Sequence, residues 1–167
     1  MTKNLSDIKE EYVLDFLLRK NKHAEIYKAY DPDGKEIAQT FVIDNFYRSR
    51  PDIDVYDGKD RKEIIIRVEV KGFTDMPRVE GRKILGIKEK QFYSYIEFGQ
   101  LTETEIFIVF VVGDSEDNFE FYWESVSNLY SLKKYQSAYK GSRDSKEHKY
   151  VFWNPKSLKF GLNGFCE

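Results

Sequence analysis

The chain has 167 residues, 41% of them hydrophobic with 12 Tyr and 13 Phe, which excludes a disordered protein and allows one domain with a sizeable core. A formal net charge of −2 argues against a uniformly basic nucleic-acid binder, and the one cysteine, Cys166, excludes an intramolecular disulfide or a cysteine-based zinc site. The start of the chain is polar and the longest apolar run, residues 106–112, is too short to cross a bilayer, so we expect an intracellular protein with no membrane partner.

The first third of the chain predicts a helix followed by short strands. Ser6 can serve as a helix N-cap, and apolar residues recur after it at helical spacing up to about residue 21. Residues 24–30 and 37–43 then favour strands, with a turn sequence at 31–34 between them. An N-terminal helix followed by an antiparallel meander is therefore expected.

The most informative pattern is a pair of alternating segments at residues 51–56 and 63–71. In the first segment Ile53 and Val55 face one way, while Asp52 and Asp54 face the other. The second segment alternates in the same manner, and its polar face carries Arg67, Glu69 and Lys71. The polar residues between the two segments are typical of a hairpin turn. We predict an antiparallel hairpin with one apolar face and one face that gathers carboxylates.

The register of this hairpin decides which carboxylates meet. A loop at residues 59–62 would place Asp52 opposite Glu69 and Asp54 opposite Arg67. Opposed residues on one face have Cβ atoms about 5 Å apart, so two carboxylates there can share a divalent cation. A shift of two residues would bring Asp54 to the site instead, so both remain candidates, with Asp52 preferred. The alternative is a solvated polar face, balanced by neighbouring arginine and lysine.

Residues 72–98 combine basic side chains with a second helix. Four basic residues follow the hairpin on a loop or helix start and are candidates for binding a phosphate backbone: Arg78, Arg82, Lys83 and Lys88. A helix is expected from about residue 87 to 98, on which Gln91 and Tyr95 lie one turn apart and can both point at the polar face of the hairpin.

The second half of the chain predicts a buried strand and a C-terminal extension. Residues 105–112 form a nearly continuous apolar run, typical of a central strand, and arrival through a helix would make it parallel to the Glu69 strand. Residues 119–123 alternate and favour an edge strand. Residues 125–167 read as an extension, with a helix at 125–139 and then lysines interleaved with aromatic residues, which suits a nucleic-acid strand.

The segment Pro51-Asp52, followed by a loop and then Glu69-Val70-Lys71, resembles the motif of the PD-(D/E)xK nuclease superfamily. The resemblance covers residues 40–112 and implies the restriction-endonuclease-like fold: a three-layer α/β/α core in a single domain, residues 1–167, around a mixed sheet of about five strands. It further implies that Asp52 and Glu69 bind Mg²⁺ or Mn²⁺ and that Lys71 positions the attacking water. Asp54 would be the second choice for the aspartate.

Two more assignments follow from this resemblance. Many relatives add an acid from the first helix to the metal site, for which Glu11 is the first candidate and Glu25 a rival. The segment Gln91-Phe92-Tyr93-Ser94-Tyr95 is similar to a glutamine–tyrosine motif of the RecB-like branch, which lines the active site and contacts DNA. Gln91 is therefore added to the catalytic candidates and Tyr95 to the nucleic-acid-binding ones.

The expected function is that of a metal-dependent endonuclease that hydrolyses DNA, of the restriction, repair, resolvase or mobile-element type. RNA remains open as a substrate, and cutting both strands of a duplex with one site per chain would require a homodimer. The alternative is an inactive module of the same fold that binds nucleic acid or serves in an assembly. Glycine-rich phosphate loops, nucleophile elbows and histidine pairs at metal-ligand spacing do not occur in the sequence.

Overall fold

The computed structural model describes residues 3–20, 22–30, 33–37, 40–43, 46–132, 134–139 and 148–167. The helices in this part are α1 (Leu5–Arg19), α2 (Glu89–Thr102) and α3 (Val126–Ser131). The strands are β1 (His23–Ile26), β2 (Ala29–Tyr30), β3 (Glu36–Ile37), β4 (Thr40–Ile43), β5 (Phe46–Ser49), β6 (Ile53–Tyr56), β7 (Ile64–Phe73), β8 (Arg78–Val79), β9 (Arg82–Lys83), β10 (Leu85–Lys88), β11 (Glu105–Val112), β12 (Glu120–Ser125), β13 (Lys134–Tyr139), β14 (His148–Trp153) and β15 (Lys159–Phe160).

A six-stranded mixed sheet organises the molecule, in the order β1-β6-β7-β11-β12-β15. Strands β6 and β7 are antiparallel, as the sequence predicts, and β11 runs parallel to β7 after the connection through α2. The parallel pairing of the apolar strand with the Glu69 strand is therefore confirmed. The sheet has one strand more than expected because β15, near the end of the chain, adds to β12.

Apolar layers cover both faces of this sheet. On one face Val13 and Leu17 of α1 pack on Val68 and Val70 of β7. On the other face the aromatic residues of α2 and the apolar residues of α3 pack on β11, together with a second sheet of order β10-β14-β13. The restriction-endonuclease-like three-layer α/β/α core is confirmed, with α1 on one side of the sheet and α2 and α3 on the other.

The C-terminal part differs from the predicted extension. The helix expected at 125–139 ends at Ser131, and β13 begins at Lys134. Trp153 is fully buried and donates from Nε1 to the Leu129 carbonyl at 2.9 Å, and Phe165 is buried on the α1 side of the sheet. The C-terminal residues therefore complete both cores, because their aromatic side chains pack inward. Lysine and arginine positions of the tail within 140–147 lie outside the described residues.

Other differences concern short elements. Asn4 caps α1 in place of Ser6, because its side chain accepts from the Asp7 N–H at 2.9 Å. Strand β1 pairs with β6 and not with β2, so the N-terminal strands do not form a simple meander. Strand β12 lies inside the sheet and not at its edge.

No helix within the described ranges has the length and apolar character needed to cross a membrane.

Candidate active site

The register of the β6–β7 pair is the one that the sequence predicts at its inner end. Ile53 pairs with Val68 and Asp54 with Arg67, so continuing by one residue brings Asp52 to Glu69. The pairing shifts between Val55 and Tyr56. Residues at the outer end of the hairpin, next to the loop, therefore pair differently from the prediction, whereas the inner end keeps the predicted register. The polar face lies beneath α2, so its carboxylates are buried and not solvated.

Asp54 belongs to an ion-pair network and not to an open site. Its carboxylate accepts from Arg67 Nε at 3.2 Å and from the Arg50 guanidinium, and the side chain is 3% exposed. Burial raises the pKa of Asp54, and the two arginines oppose that effect only in part. Arg67 in turn donates to the hydroxyl of Thr102, the last residue of α2, and to that of Thr104 just after the helix. Since both oxygens of Asp54 are engaged by guanidinium groups, it is poorly placed to bind a metal.

Asp52 and Glu69 form the carboxylate pair of the site. Asp52 is 8% exposed, and its Oδ2 accepts from the Val70 N–H at 2.8 Å, which fixes the side chain against the Glu69 strand. Burial, followed by the charges of Glu69 and Glu10, raises the pKa of Asp52 well above its usual value. Two buried carboxylates in this position need a cation to be ionised together.

Lys71 supplies one positive charge to this pair. Its Nζ lies 2.7 Å from Glu69 Oε1, and about a quarter of its side chain is exposed. Glu69 Oε2 is buried and accepts no hydrogen bond of good geometry, although the Tyr95 hydroxyl lies near Glu69. A buried carboxylate oxygen that is so poorly satisfied is costly, so this atom is suited to bind a ligand from outside the protein.

The acid that the first helix brings to the site is Glu10, and the structure does not bring Glu11 there. Glu11 pairs with Lys3 at 2.7 Å, and its side chain is 42% exposed. The rival, Glu25, accepts from the Tyr56 hydroxyl at 2.6 Å and pairs with Arg61. Glu10 interacts electrostatically with Glu69 and Lys71.

The pKa of Glu10 reflects this position. It is raised to about 7, first by burial and then by the negative charges of Asp7 and Glu69, whereas Lys71 and Lys28 lower it. The side chain is half-buried at the margin of the carboxylate pair. Glu10 is thus a third acid close to the pair, with its charge disfavoured until a cation arrives.

The helix α2 contributes two side chains, as predicted, but with different roles. Tyr95 is fully buried, so the structure does not support it as a nucleic-acid contact. Its hydroxyl makes no hydrogen bond of good geometry, although Glu69 and Gln91 both lie near it. Burial and then the charges of Glu69 and Asp52 raise the pKa of Tyr95 well above its usual value. Tyr95 therefore forms the inner wall behind Glu69.

A cleft of about 1040 Å³ opens beside Lys71. Two of the candidates, Gln91 and Lys88, line it, and Lys90 adds a third lysine to its wall. The other basic candidates lie on a hairpin, β8–β9, and not on a loop or helix start. A neighbouring cavity that is lined by Arg78 shares Phe73, Gly86 and Tyr150 with the cleft, so the hairpin borders the cleft. The other basic residues of the hairpin, Arg82 and Lys83, are exposed.

The donor set fits a hard divalent cation. Asp52 and Glu69 offer carboxylate oxygens, one of them a buried atom that accepts no hydrogen bond of good geometry. Throughout the described ranges, no three acidic, histidine or cysteine side chains come close enough to enclose a metal by themselves. Mg²⁺ needs no such cage, because it keeps several waters and is commonly held by one or two carboxylates and the substrate phosphate.

Sequence reasoning missed Glu10, although the helical period contains the signal. Val13 and Leu17 are the fully buried apolar residues of α1, and Glu10 lies three and seven positions before them on the same side. Glu11 is two positions before Val13, about 200° around the helix, and so points away from that face. Tyr93 was missed as a residue of the cleft. Tyr150 belongs to the aromatic residues of the C-terminal extension that suit a nucleic-acid strand, and the packing of β14 against β10 brings it to the same cleft.

Comparison with solved structures identifies two similar folds. The Holliday junction resolvase Hjc of Archaeoglobus fulgidus aligns with a TM-score of 0.53 at 9% identity, over 96% of this chain and 95% of that chain. D212, a nuclease from a fusselovirus, aligns with a TM-score of 0.54 at 13% identity, over 98% and 90% of the two chains. No protein-family model and no curated protein matches the sequence. At these identities the likeness shows the fold, and the chemistry of the site has to carry the function.

Proposed function

We propose that this chain, which has the restriction-endonuclease-like fold of the PD-(D/E)xK nucleases, is a metal-dependent nuclease that hydrolyses DNA phosphodiester bonds. The observation that carries the proposal is the pair of buried carboxylates, Asp52 and Glu69, on adjacent strands beside Lys71. Three further facts support it: the buried Oε2 of Glu69, which accepts no hydrogen bond of good geometry, the third acid Glu10 at the margin, and a cleft that begins at Lys71.

Each residue has a distinct role in this reaction. Asp52 and Glu69 would hold Mg²⁺ or Mn²⁺, and Glu10, which interacts electrostatically with both carboxylates, would add negative charge at the margin of the site. The ion, when bound, polarises the scissile phosphate and lowers the pKa of water. Lys71 orients the attacking water with its ammonium group and offsets the negative charge that develops on the phosphate. Gln91, on the cleft wall beside Lys71, contacts the substrate.

The substrate class follows from charge and from the relatives. Lys71, Lys88 and Lys90 line one cleft together with two acids, Glu89 and Glu97. The β8–β9 hairpin adds Arg78, Arg82 and Lys83 beside it, so cations outnumber these acids although the net charge of the chain is negative. Such local concentration of cations suits a phosphate backbone. The two similar structures are described as a Holliday junction resolvase and a nuclease, which favours DNA over other phosphodiesters.

The test is a cleavage panel on purified protein. Supercoiled plasmid, linear duplex, single-stranded DNA, a four-way junction and RNA of matching sequence are incubated with Mn²⁺ or Mg²⁺ and with EDTA. Wild type is compared with Glu69→Gln and Lys71→Ala, and with Glu11→Gln, which changes an exposed acid outside the site. Metal-dependent cutting of DNA that is lost in the first two variants and kept in the third supports the proposal.

Equal cutting by all four proteins would identify a contaminant and overturn the proposal. Binding of DNA without cutting by the wild type would instead favour the inactive module of the same fold. If both strands of a duplex are cut in one event, we expect the chain to act as a homodimer, since each chain carries one site. Light scattering with and without DNA then measures the mass of the complex.

A further inference from the structure

The cleft beside Lys71 is larger than the attack on one phosphate requires. It extends from the end of β7 along the start of α2 to Tyr150 on β14, with a volume of about 1040 Å³. Pockets of roughly 300–1,000 Å³ enclose ligands of nucleotide size. The cleft can therefore hold a nucleotide or two in addition to the scissile phosphate, whereas the stacked bases of a continuous duplex remain inside the double helix.

The walls of the cleft differ in chemistry. Lys71, Lys88 and Lys90 line it near the carboxylate pair and the start of α2, with Glu89 and Glu97 as the acids of the same lining. Tyrosine rings stand along the rest: Tyr93 is 40% exposed, and Tyr150 is half-buried with its ring stacked on Phe152 at 5.8 Å and 9°. Cations beside aromatic rings are the combination that binds an unpaired strand, because the cations take phosphates and the rings stack on bases.

The shape of the cleft depends on a close approach of two strands. Gly86 on β10 faces β14, where an added Cβ would meet the Phe152 ring and stand 2.7 Å from the Val151 carbonyl oxygen. The absence of a side chain at this position lets β14 lie against β10, and this contact places Tyr150 opposite the α2 residues. The aromatic wall is thus fixed by the fold.

We propose that this cleft receives an unpaired nucleotide next to the phosphate that is cut, with Tyr93 and Tyr150 stacking on its base. The inference rests on the proposed nuclease function and names its substrate class: DNA with a branch or a single-stranded segment at the site of cleavage. Continuous duplex would have to extrude a nucleotide before cleavage, and would react more slowly for that reason.

The first arm of the test measures stacking without cleavage. Oligonucleotides carry the fluorescent base 2-aminopurine in an unpaired position beside a fork junction, or in the matching position of a continuous duplex, and are titrated with protein in Ca²⁺. Stacking on tyrosine quenches the fluorescence of the forked DNA. We expect quenching by wild type and a clear loss of it in Tyr93→Leu. Tyr130→Leu serves as the matched control, because Tyr130 is 55% exposed on α3 and does not line this cleft.

The second arm measures cleavage of the same forked and continuous DNA in Mn²⁺. We expect the fork to be cut at least tenfold faster, and Tyr93→Leu to lose roughly tenfold on the fork alone, as the loss of one stacking contact implies. Equal rates on both DNA forms, with Tyr93→Leu indistinguishable from Tyr130→Leu, would overturn the inference and leave the nuclease intact. Absence of cutting and of binding by wild type would overturn both.

Discussion

Asp54 lies directly opposite Arg67 in the β6–β7 pair, and Arg67 Nε donates to Asp54 Oδ1 over 3.2 Å. Arg50 engages the same carboxylate. Two residues earlier on the same face, Asp52 has no arginine and meets Glu69. The two aspartates thus have different roles: Asp54 neutralises the buried arginines, whereas Asp52 is available to bind a cation.

This division predicts opposite effects for substitutions only two residues apart. Asp54→Ala leaves Arg50 and Arg67 without their shared carboxylate, and breaking a buried pair of this kind costs about 3–5 kcal/mol of unfolding free energy. Asp52→Asn removes a carboxylate whose pKa burial and Glu69 already raise, so the metal-free protein keeps its stability or gains some. Chemical denaturation without metal measures both. Similar destabilisation by the two substitutions would contradict the division of roles.

Glu10 and Glu11 offer a matched pair on one helix. Glu10→Gln should weaken the apparent affinity for Mn²⁺ and lower the cleavage rate by about tenfold or more, the loss commonly found when a group that supports a metal site is removed. Glu11→Gln should change neither, because Glu11 pairs with Lys3 away from the carboxylates. Titration of cleavage activity with Mn²⁺ separates the two variants. A larger effect from Glu11→Gln than from Glu10→Gln would show that Glu10 is not the acid that α1 contributes to the metal site.

The raised pKa of Glu10 also predicts how stability depends on pH. A carboxyl whose pKa is about 7 in the folded chain and 4.5 in the unfolded chain binds more protons when folded. Metal-free protein should therefore lose stability as the pH rises from about 5 to 7, and Mn²⁺ should restore it at pH 8. Asp52 contributes with the same sign, so the informative quantity is the difference in the Tm–pH slope between wild type and Glu10→Gln. Identical Tm–pH slopes for wild type and Glu10→Gln would show that the pKa of Glu10 is not raised in the folded protein.

The contact between β10 and β14 can be tested with two glycines. Gly86→Ala would place a Cβ against the Phe152 ring and 2.7 Å from the Val151 carbonyl oxygen, a backbone atom that cannot easily move. We expect a loss of about 1–3 kcal/mol of unfolding free energy, as for other overpacked sites. Gly58→Ala is the control, because its Cβ would make an ordinary contact of 3.6 Å with the Asp60 side chain. Equal stability of both variants would show that the strands do not need this close approach.

The sequence predicts the centre of the molecule better than its margins, for a physical reason. Strands β6 and β7 alternate because one face must be apolar, and this period fixes which residues meet Glu69. The register, the buried β11 strand and its parallel pairing follow from such local rules and are confirmed. These are the features that position the carboxylate pair.

What the sequence could not reveal depends on contacts between distant segments. The residues of β13, Lys134–Tyr139, alternate between apolar and polar only weakly, so the sequence favours a helix there. Their pairing with β14 decides the strand conformation. The burial of Tyr95 behind Glu69 and the meeting of Tyr93 with Tyr150 likewise arise from tertiary packing. Glu10, in contrast, could have been found from the spacing of Val13 and Leu17.

The most direct test of the account separates metal binding from chemistry at two residues in contact. Single-turnover cleavage rates of the preferred DNA, and calorimetric titration with Mn²⁺, are measured for wild type, Glu69→Gln and Lys71→Ala. We predict that Glu69→Gln loses both the metal and the activity. Lys71→Ala should bind Mn²⁺ at least as well as wild type, since the cation no longer competes with the ammonium 2.7 Å from Glu69, yet cleave about 100-fold more slowly or worse. Unchanged cleavage in both variants, or metal binding that does not depend on Glu69, would contradict the account.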